Sequence, residues 1–162
     1  MKRTFLCLLS FCALVLSAPA ALVLDEPFSY ADGSLTNVSG NLWTNHSGAD
    51  FVDVQGGKVV VSQSRASDVN RLLDGQPHTT GSLYASFVVN FSTLPSSGGA
   101  YFWHLKDAGT FNFRARLFAS SGGAGAGQFR LGIANGGNTF TNIASDLSLN
   151  TDYLVVVRYN CT

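Results

Sequence analysis

Apolar and polar residues alternate along much of this chain, which is the pattern of strands that bury one face. Every second position between residues 83 and 91 is apolar, so a strand with one apolar face is predicted there. The same pattern recurs in three further stretches, residues 101–105, 111–119 and 129–133. Beyond the first twenty residues no stretch keeps a 3.6-residue apolar period, so helices are expected to be minor.

Turn signals separate these stretches and indicate how they are arranged. Gly56-Gly57 lies between the apolar-rich segments 51–54 and 58–61, and predicts a tight hairpin because both of its central positions need a positive φ. The run 154–157 is apolar throughout and predicts a further strand. About eight or nine such strands without helices favour an all-β, two-layer antiparallel sandwich. A closed barrel is the alternative.

Composition and charge narrow the function classes. The 162 residues include 17 Gly and 12 Phe, and only 12% are charged, which is typical of turns and aromatic strands. Without Lys2 and Arg3, eight basic residues stand against ten acidic ones, a net charge of −2. This balance gives no basic field, so nucleic-acid binding is not expected.

The first twenty residues have the three parts of a secretory signal peptide. Met1-Lys2-Arg3 is positive, residues 4–16 are apolar, and Ala18-Pro19-Ala20 supplies small residues for cleavage. The apolar stretch is shorter than the roughly 20 residues that a membrane span needs. We therefore predict a signal peptide over 1–20, a single domain over 21–162, no membrane span in the mature chain, and a location outside the cell or at its surface.

Cysteine usage excludes two kinds of stabilisation. Cys7 and Cys12 fall inside the predicted leader, which leaves Cys161 as the one thiol of the mature chain. An intramolecular disulfide and a metal site built on paired cysteines are therefore excluded. Because Cys161 follows a strand-like run directly, we expect the sequence to stop before the fold is complete; an intermolecular disulfide is the alternative.

The opening of the mature chain carries the most distinctive string. Residues 28–35 read FSYADGSL, and Leu42-Trp43, His46-Ser47-Gly48 and Asp68-Val69-Asn70-Arg71 follow. This string resembles the start of concanavalin A-like lectin/glucanase jelly-roll domains, related in shape to laminin-G modules, in exported proteins of Verrucomicrobia and Planctomycetes. The resemblance implies a jelly-roll sandwich, surface or matrix location, and further strands with a PEP-CTERM sorting tail beyond residue 162.

Hydrolytic chemistry is not expected. Retaining glycoside hydrolysis needs two carboxyl groups about 5–5.5 Å apart, and the resemblance implies that glucanases of this fold carry them on one strand. This chain has a single Glu, Glu26, beside Asp25. Adjacent strand residues face opposite ways, so we expect both to be solvated charges near the terminus. His46, His78 and His104 accompany no Gly-x-Ser-x-Gly elbow, and the sequence predicts a protein that is not an enzyme.

Calcium is the metal that fits the composition best, and no other cofactor is expected. Carboxylate and amide oxygens are its preferred ligands, and the candidates are Asp25, Asp32, Asp68 and Asn70. Their spacing matches no calcium loop, however. Hydrogen bonds within turns are the favoured interpretation of these side chains.

The most suggestive surface is predicted on the strands over residues 101–131. If Tyr101, Trp103, Leu105 and Phe113 point inward, the alternate side chains share the outer face. The predicted ligand-binding residues are Tyr84, Phe102, His104, Arg114, Arg116 and Arg130, with Lys106 beside them. Planar rings and guanidinium groups suit sugar stacking and carboxylate binding. We therefore expect a secreted glycan-binding module, with an acidic polysaccharide as partner; a structural surface or matrix module is the alternative.

Overall fold

The fold consists almost entirely of short antiparallel strands. A computed structural model describes residues 20–161, so the predicted leader lies outside the described residues except for Ala20. In chain order the strands are β1 (Gly33–Ser34), β2 (Thr44–Ser47), β3 (Asp53–Gln55), β4 (Lys58–Val60), β5 (Asp68–Asn70), β6 (Ser82–Val89), β7 (Ala100–Lys106), β8 (Phe113–Ser120), β9 (Gln128–Ala134), β10 (Thr141–Asn142), β11 (Leu147–Ser148) and β12 (Tyr153–Asn160). One helix, α1, spans Leu35–Val38. The predicted all-β class is confirmed.

Two sheets form the main sandwich. The central sheet has the strand order β10-β9-β8-β7, and β11 also pairs with β9. The covering sheet has two strands, β12 and β6, whose antiparallel register runs from Tyr153 opposite Val89 to Asn160 opposite Ser82. As predicted from the alternation, the apolar face of β6 turns inward and Phe87 packs in the core. The antiparallel sandwich is therefore confirmed.

The core between these sheets has two adjoining clusters. One is built on Ala115 and Leu117 of β8 and Val157 of β12. The other is built on Ala119 of β8 with two β9 residues, one of them Phe129, which has no exposed surface. Burying a Val, Leu or Phe side chain of these clusters stabilises the fold by about 1.5–3 kcal/mol, so they hold the two sheets together.

A separate small core lies in the first part of the chain. Leu35, Val52 and Val54 form it, and the sheet β1-β3-β4 and helix α1 surround it. The predicted hairpin is confirmed here, because β3 and β4 pair across Gly56 and Gly57, whose φ values are +55° and +72°. These are the positive φ values that such a turn requires.

The pair β2–β5 forms a third layer that links the two parts. Its Val69 packs against the small core, whereas the neighbouring Asp68 accepts hydrogen bonds from Tyr101 of β7. Successive residues of a strand point to opposite faces, so β5 contacts one core with each face. The central sheet is consequently covered on both sides at β7 and β8, and β8 is buried along almost its whole length.

Two bulges change which residues of β7 and β8 face the core. Tyr101 pairs with Phe118 and Trp103 with Leu117, so Phe102 is an extra residue on β7. A second register shift follows on β8, where Ala115 adopts a φ of +46°. A bulge inserts one residue and reverses the alternation beyond it. The bulges therefore decide the composition of the predicted outer face.

The C-terminal end of the described chain is anchored to the start of β6. Cys161 is buried and forms no disulfide within residues 20–161, and its main-chain N–H donates to the carbonyl of Gly81 at 2.9 Å. Within residues 20–161 no helix has the length and apolar character to cross a bilayer.

Candidate functional site

The six predicted ligand-binding residues do not share one surface. Phe102 lies in the main core, and Arg116 and His104 lie between the central sheet and the β2–β5 layer. Arg114 and Arg130 lie at separate places on the central sheet, and Tyr84 projects from the covering sheet. The prediction of a single basic and aromatic outer face is therefore wrong.

Phe102 was expected to face solvent and instead packs in the sandwich core. Its ring contacts Phe91 edge-on, with ring centroids 5.4 Å apart, and Trp103 next to it stacks on Phe87 at 5.3 Å. Two consecutive residues can both point inward only because the β7 bulge interrupts the alternation. For the same reason Tyr101, expected in the core, lies on the opposite face of the sheet.

Arg116 is a buried side chain, only 4% exposed. Its guanidinium lies 4.0 Å above the ring of Tyr101 and 4.3 Å above that of Phe113. It donates hydrogen bonds to the Gly137 carbonyl at 3.2 Å and to Asn138 Oδ1 at 2.6 Å. The ring of Phe118 also lies below the Arg116 guanidinium. Three aromatic rings and two oxygens thus surround this buried cation. Arg116 stabilises the fold and cannot reach a ligand from outside.

His104 faces the same layer, where it meets a second histidine. The rings of His104 and His46 of β2 lie edge to face with centroids 5.5 Å apart. Burial lowers the pKa of His104 to about 4, although Asp68 opposes this shift, and burial also lowers the pKa of His46. Both nitrogens of His46 are buried and have no hydrogen-bond partner within residues 20–161. Both rings are therefore neutral at pH 7.

Asp68 is the hydrogen-bond acceptor between β5 and the central sheet. Its carboxylate accepts a 2.6 Å hydrogen bond from Ser47 Oγ and bonds of 2.9 and 2.8 Å from the Tyr101 hydroxyl. Burial, followed by the bond to Asp68, raises the pKa of Tyr101 to about 12. The tyrosine therefore stays protonated and donates. We refer to Asp68, Tyr101, His46, His104 and Arg116 as the interlayer cluster.

The turn between β7 and β8 carries two residues of the predicted surface, Lys106 and Arg114, that solvent still reaches. We call Lys106, Asp107, Phe111 and Arg114 the β7–β8 tip. Phe111 is 70% exposed, and its ring lies 6.2 Å from that of the buried Phe113. Arg114 pairs with Asp107 at 3.0 Å, and the two side chains are 40% and 47% exposed. An exposed aromatic ring and two basic groups thus occupy one hairpin end.

Arg130 and Tyr84 lie away from the tip. The Arg130 guanidinium donates to Asp146 at 2.5 Å, and this bond, together with the main-chain N–H of Gly125, lowers the pKa of Asp146. Tyr84 projects from the outer face of β6, where the Arg158 guanidinium lies 5.9 Å from its ring. Neither side chain can join Arg114 in contacting one small ligand.

Glu26 is the residue that sequence reasoning misjudged most. It is not a solvated charge, because its side chain is only 8% exposed. It accepts hydrogen bonds from Trp43 Nε1 at 2.8 Å and the Tyr30 hydroxyl at 2.9 Å. The main-chain N–H of Phe28 and the Arg71 guanidinium also donate to it, at 2.9 and 2.5 Å. Burial raises its pKa, but these donors together hold the pKa below the ordinary value of 4.5.

The calcium candidates are dispersed. Asp32 Oδ1 accepts the Gly56 N–H at 2.7 Å, which is the turn interaction favoured from the sequence, and Asp68 belongs to the interlayer cluster. Asp25 is exposed and Asn70 lies in β5. In the part of the chain that the structure describes, no three His, Cys, Asp or Glu side chains are close enough to hold a metal ion.

A last feature is a groove between β9 and β12, lined by exposed apolar residues that include Ile133 and Val156. The apolar run of β12 predicts the strand, and a sandwich that lacks its last strands is expected to expose an unpaired edge beside residues 155–157. Within residues 20–161, β12 pairs with β6 and with no other strand. Comparison with known proteins adds no family name, since no family model, curated protein or solved structure matches this chain. The resemblance to concanavalin A-like domains therefore stays a prediction.

Proposed function

We propose that this chain is a secreted, non-enzymatic β-sandwich module that binds polysaccharide, with acidic polysaccharides as the favoured ligand class. The observation that carries the proposal is the β7–β8 tip, where the 70% exposed ring of Phe111 lies on the same hairpin end as Lys106 and Arg114. The concanavalin A-like resemblance agrees with this ligand class. Arg114 is the predicted binding residue that remains available at this place.

The chemistry of the tip suits such a ligand. An exposed aromatic ring offers an apolar face on which the C–H groups of a sugar ring can stack. A guanidinium binds a carboxylate through two parallel N–H donors. The Arg114–Asp107 pair is exposed, and such pairs contribute about 0–1 kcal/mol. A uronate carboxylate can therefore replace Asp107 at little cost.

The carboxylates of the protein support a role without hydrolysis. A general acid needs a raised pKa and a second carboxyl group nearby. Glu26 has a lowered pKa and four donors on its two oxygens. Asp68 is occupied by Ser47 and Tyr101. Neither group is free to donate a proton to a glycosidic bond.

A glycan array probed with the purified protein, with and without calcium, tests the proposal. We expect saturable binding to uronate-containing glycans that weakens as salt is raised. Phe111→Ala and Arg114→Ala should each weaken binding by about tenfold, on the order of 1.4 kcal/mol. Tyr84→Ala is the matched control, because Tyr84 is an exposed aromatic residue on the other sheet, and it should bind like the wild type.

The structural-module alternative has its own supporting observation, the exposed apolar side chains around β12. A folded protein that binds no glycan on the array would contradict polysaccharide binding and favour this alternative. Equal losses with Phe111→Ala and Tyr84→Ala would also contradict the assignment of the β7–β8 tip.

A further inference from the structure

The loop between β9 and β10 contains the only Asn-Gly pair of the sequence, Asn135-Gly136. This loop, residues 135–140, begins directly after Ala134, the last residue of β9. Gly137 follows the pair, and a backbone with two consecutive glycines is unusually free. Gly136 uses this freedom, with a φ of +98°. The main-chain nitrogen of Gly136 can therefore approach the side chain of the residue before it.

Both groups that such a pair needs for ring closure are available. The Asn135 side chain is exposed, so water reaches its amide. The main-chain N–H of Gly136 donates no hydrogen bond within residues 20–161. A deprotonated main-chain nitrogen attacks the carbonyl carbon of a preceding Asn and closes a five-membered ring, and glycine favours this attack because it has no side chain to crowd the nitrogen. A free N–H on Gly136 means that no bond has to break first.

A main-chain donor of β8 faces the oxygen that the attack would charge. Asn135 Oδ1 accepts the N–H of Ala115 at 3.4 Å, which is a long and weak hydrogen bond. Negative charge develops on Oδ1 as the nitrogen adds to Cγ. A donor already placed at such an oxygen binds the charged form more strongly than the neutral one. The Ala115 N–H therefore favours the reaction intermediate over the starting amide.

The same loop holds the buried Arg116. Its guanidinium donates to the Gly137 carbonyl at 3.2 Å and to Asn138 Oδ1 at 2.6 Å. The Nε of Arg116 is buried and has no acceptor within residues 20–161. The hydrogen bonding of this cation thus depends on two residues that directly follow the Asn-Gly pair, and a change in the backbone of the pair reaches Arg116.

We propose that Asn135-Gly136 is a self-modification site, at which Asn135 becomes an isoaspartyl residue and the hold of the loop on Arg116 is weakened. The Gly136 nitrogen loses its proton and bonds to Cγ of Asn135, and the side-chain nitrogen leaves as ammonia. Water then opens the succinimide ring. The balance is the loss of one ammonia and the gain of one water, without an oxidant, reductant or cofactor.

The position at which water opens the ring decides the effect on the fold. Attack at the side-chain carbonyl gives Asp, which keeps the length of the main chain and an acceptor for the Ala115 N–H. Attack at the main-chain carbonyl gives the isoaspartyl residue, whose main chain runs through the former side chain and is longer by one methylene. This insertion displaces Gly137 and Asn138, and a buried cation that loses acceptors destabilises the fold. The proposal uses no residue of the β7–β8 tip and is independent of polysaccharide binding.

Ageing of the purified full chain at pH 8 tests the chemical step. Trypsin releases residues 131–158 as one peptide, in which mass spectrometry with electron-transfer fragmentation locates isoaspartate. Asn138 is the matched control, because it is exposed in the same loop but precedes Thr139. We expect isoaspartate to form at Asn135 at least about tenfold faster than at Asn138. The rate should rise with pH, since the attacking nitrogen has to lose its proton.

A synthetic peptide of residues 131–142, aged in parallel, shows what the fold contributes. We expect Asn135 of the folded protein to react within about tenfold of the rate in the peptide. An Asn135 that converts in the peptide and stays intact in the protein would overturn the proposal, because the fold would then prevent the attack. Equal rates at Asn135 and Asn138 in the protein would overturn it as well.

The effect on Arg116 is measured separately, by urea unfolding of the isoaspartyl form after ion-exchange purification. We expect a lower urea midpoint than that of the unmodified protein, whereas freshly purified Asn135→Asp, which has the charge without the extra methylene, should keep its midpoint. In an Arg116→Ala background the isoaspartyl residue should cost less than half as much, because coupled sites are not additive. Asn138→Ala replaces Arg116→Ala if the latter does not fold. An isoaspartyl form with an unchanged midpoint, or an equal loss in both backgrounds, would refute the link to Arg116.

Discussion

Replacing Glu26 by Gln should destabilise the protein strongly although it changes a single atom. The carboxylate receives four donors on two oxygens. A Gln amide has one oxygen, which can keep the three donors on Oε2, while its NH2 group then faces the Phe28 N–H. The Arg71 guanidinium loses its counter-charge at the same time.

The magnitude follows from these contacts. A hydrogen bond to a charged group contributes about 1.5–3 kcal/mol and a neutral one about 0.5–1.5, so three weakened bonds lose about 3 kcal/mol. Facing the Phe28 N–H with a second donor costs about 1 kcal/mol more. Arg71 keeps some contact with water, which recovers part of the loss. We therefore expect Glu26→Gln to lower the free energy of unfolding by about 3 kcal/mol, a large share of the 5–15 kcal/mol typical of a domain.

Urea unfolding at pH 7, followed by tryptophan fluorescence, measures this loss. The neighbouring Asp25→Asn is the matched control, because Asp25 is exposed and such substitutions change stability by less than about 0.5 kcal/mol. The pKa of Glu26 is lowered in the folded protein, so its contribution is full above pH 4.5 and is lost as the pH falls through the folded value. The gap between wild type and Glu26→Gln should therefore narrow as the pH falls below 4.5. Equal urea midpoints for the two variants at pH 7 would refute the reasoning.

Three further predictions follow from the buried layers and one turn. Arg116→Ala should lower the free energy of unfolding by about 3 kcal/mol in urea, since it empties a buried site, whereas the exposed Arg114→Ala should lose less than about 1 kcal/mol. The folded pKa of His104, about 4, lies below the ordinary value of 6.5, so NMR should show its ring titrating near pH 4. The free energy of unfolding should therefore fall as the pH drops from 6.5 toward 4. The variant His104→Asn should lose this part of the pH dependence. Gly48→Ala would place its Cβ 2.1 Å from a carbonyl oxygen, while Gly40→Ala has open space at a similar φ; thermal unfolding should therefore show a much lower midpoint for Gly48→Ala.

Local signals account for the parts of the fold that the sequence predicted. The Gly56-Gly57 turn and the alternation of β6 depend on neighbouring residues, and both are found. The bulges at Phe102 and Ala115 depend on how two strands pair, and no local pattern marks them. Alternation read straight through these two bulges consequently assigned Tyr101 and Phe102 of β7, and Phe113 of β8, to the wrong faces.

The candidate site failed for a related reason. Arg116 has the position of an outward residue on its strand, but the ring of Tyr101 and the oxygens of Gly137 and Asn138, which lie 15 to 22 positions away in the chain, enclose it. Glu26 meets Arg71 across 45 residues, so its role as an anchor was invisible locally. The sequence did offer one useful signal for the role of Glu26. Trp43, Tyr30 and Arg71 belong to the distinctive opening string, and donors of these types need an acceptor when they are buried.

The pairing of β6 with β12 sets the order in which the protein can assemble. Ser82 and Asn160, which hydrogen-bond at one end of this pair, are 78 residues apart in the chain, whereas the small core of Leu35, Val52 and Val54 closes within twenty residues. Short loops close before long ones, so the first part can fold while β6 still lacks its partner. Until β12 is synthesised and docks, the rings of Phe87 and Trp103 have only a partial cover. Folding dominated by such distant pairings is slow and leaves apolar strands open to aggregation, and the docking of β12 is therefore the step at which a chain of this kind is most vulnerable.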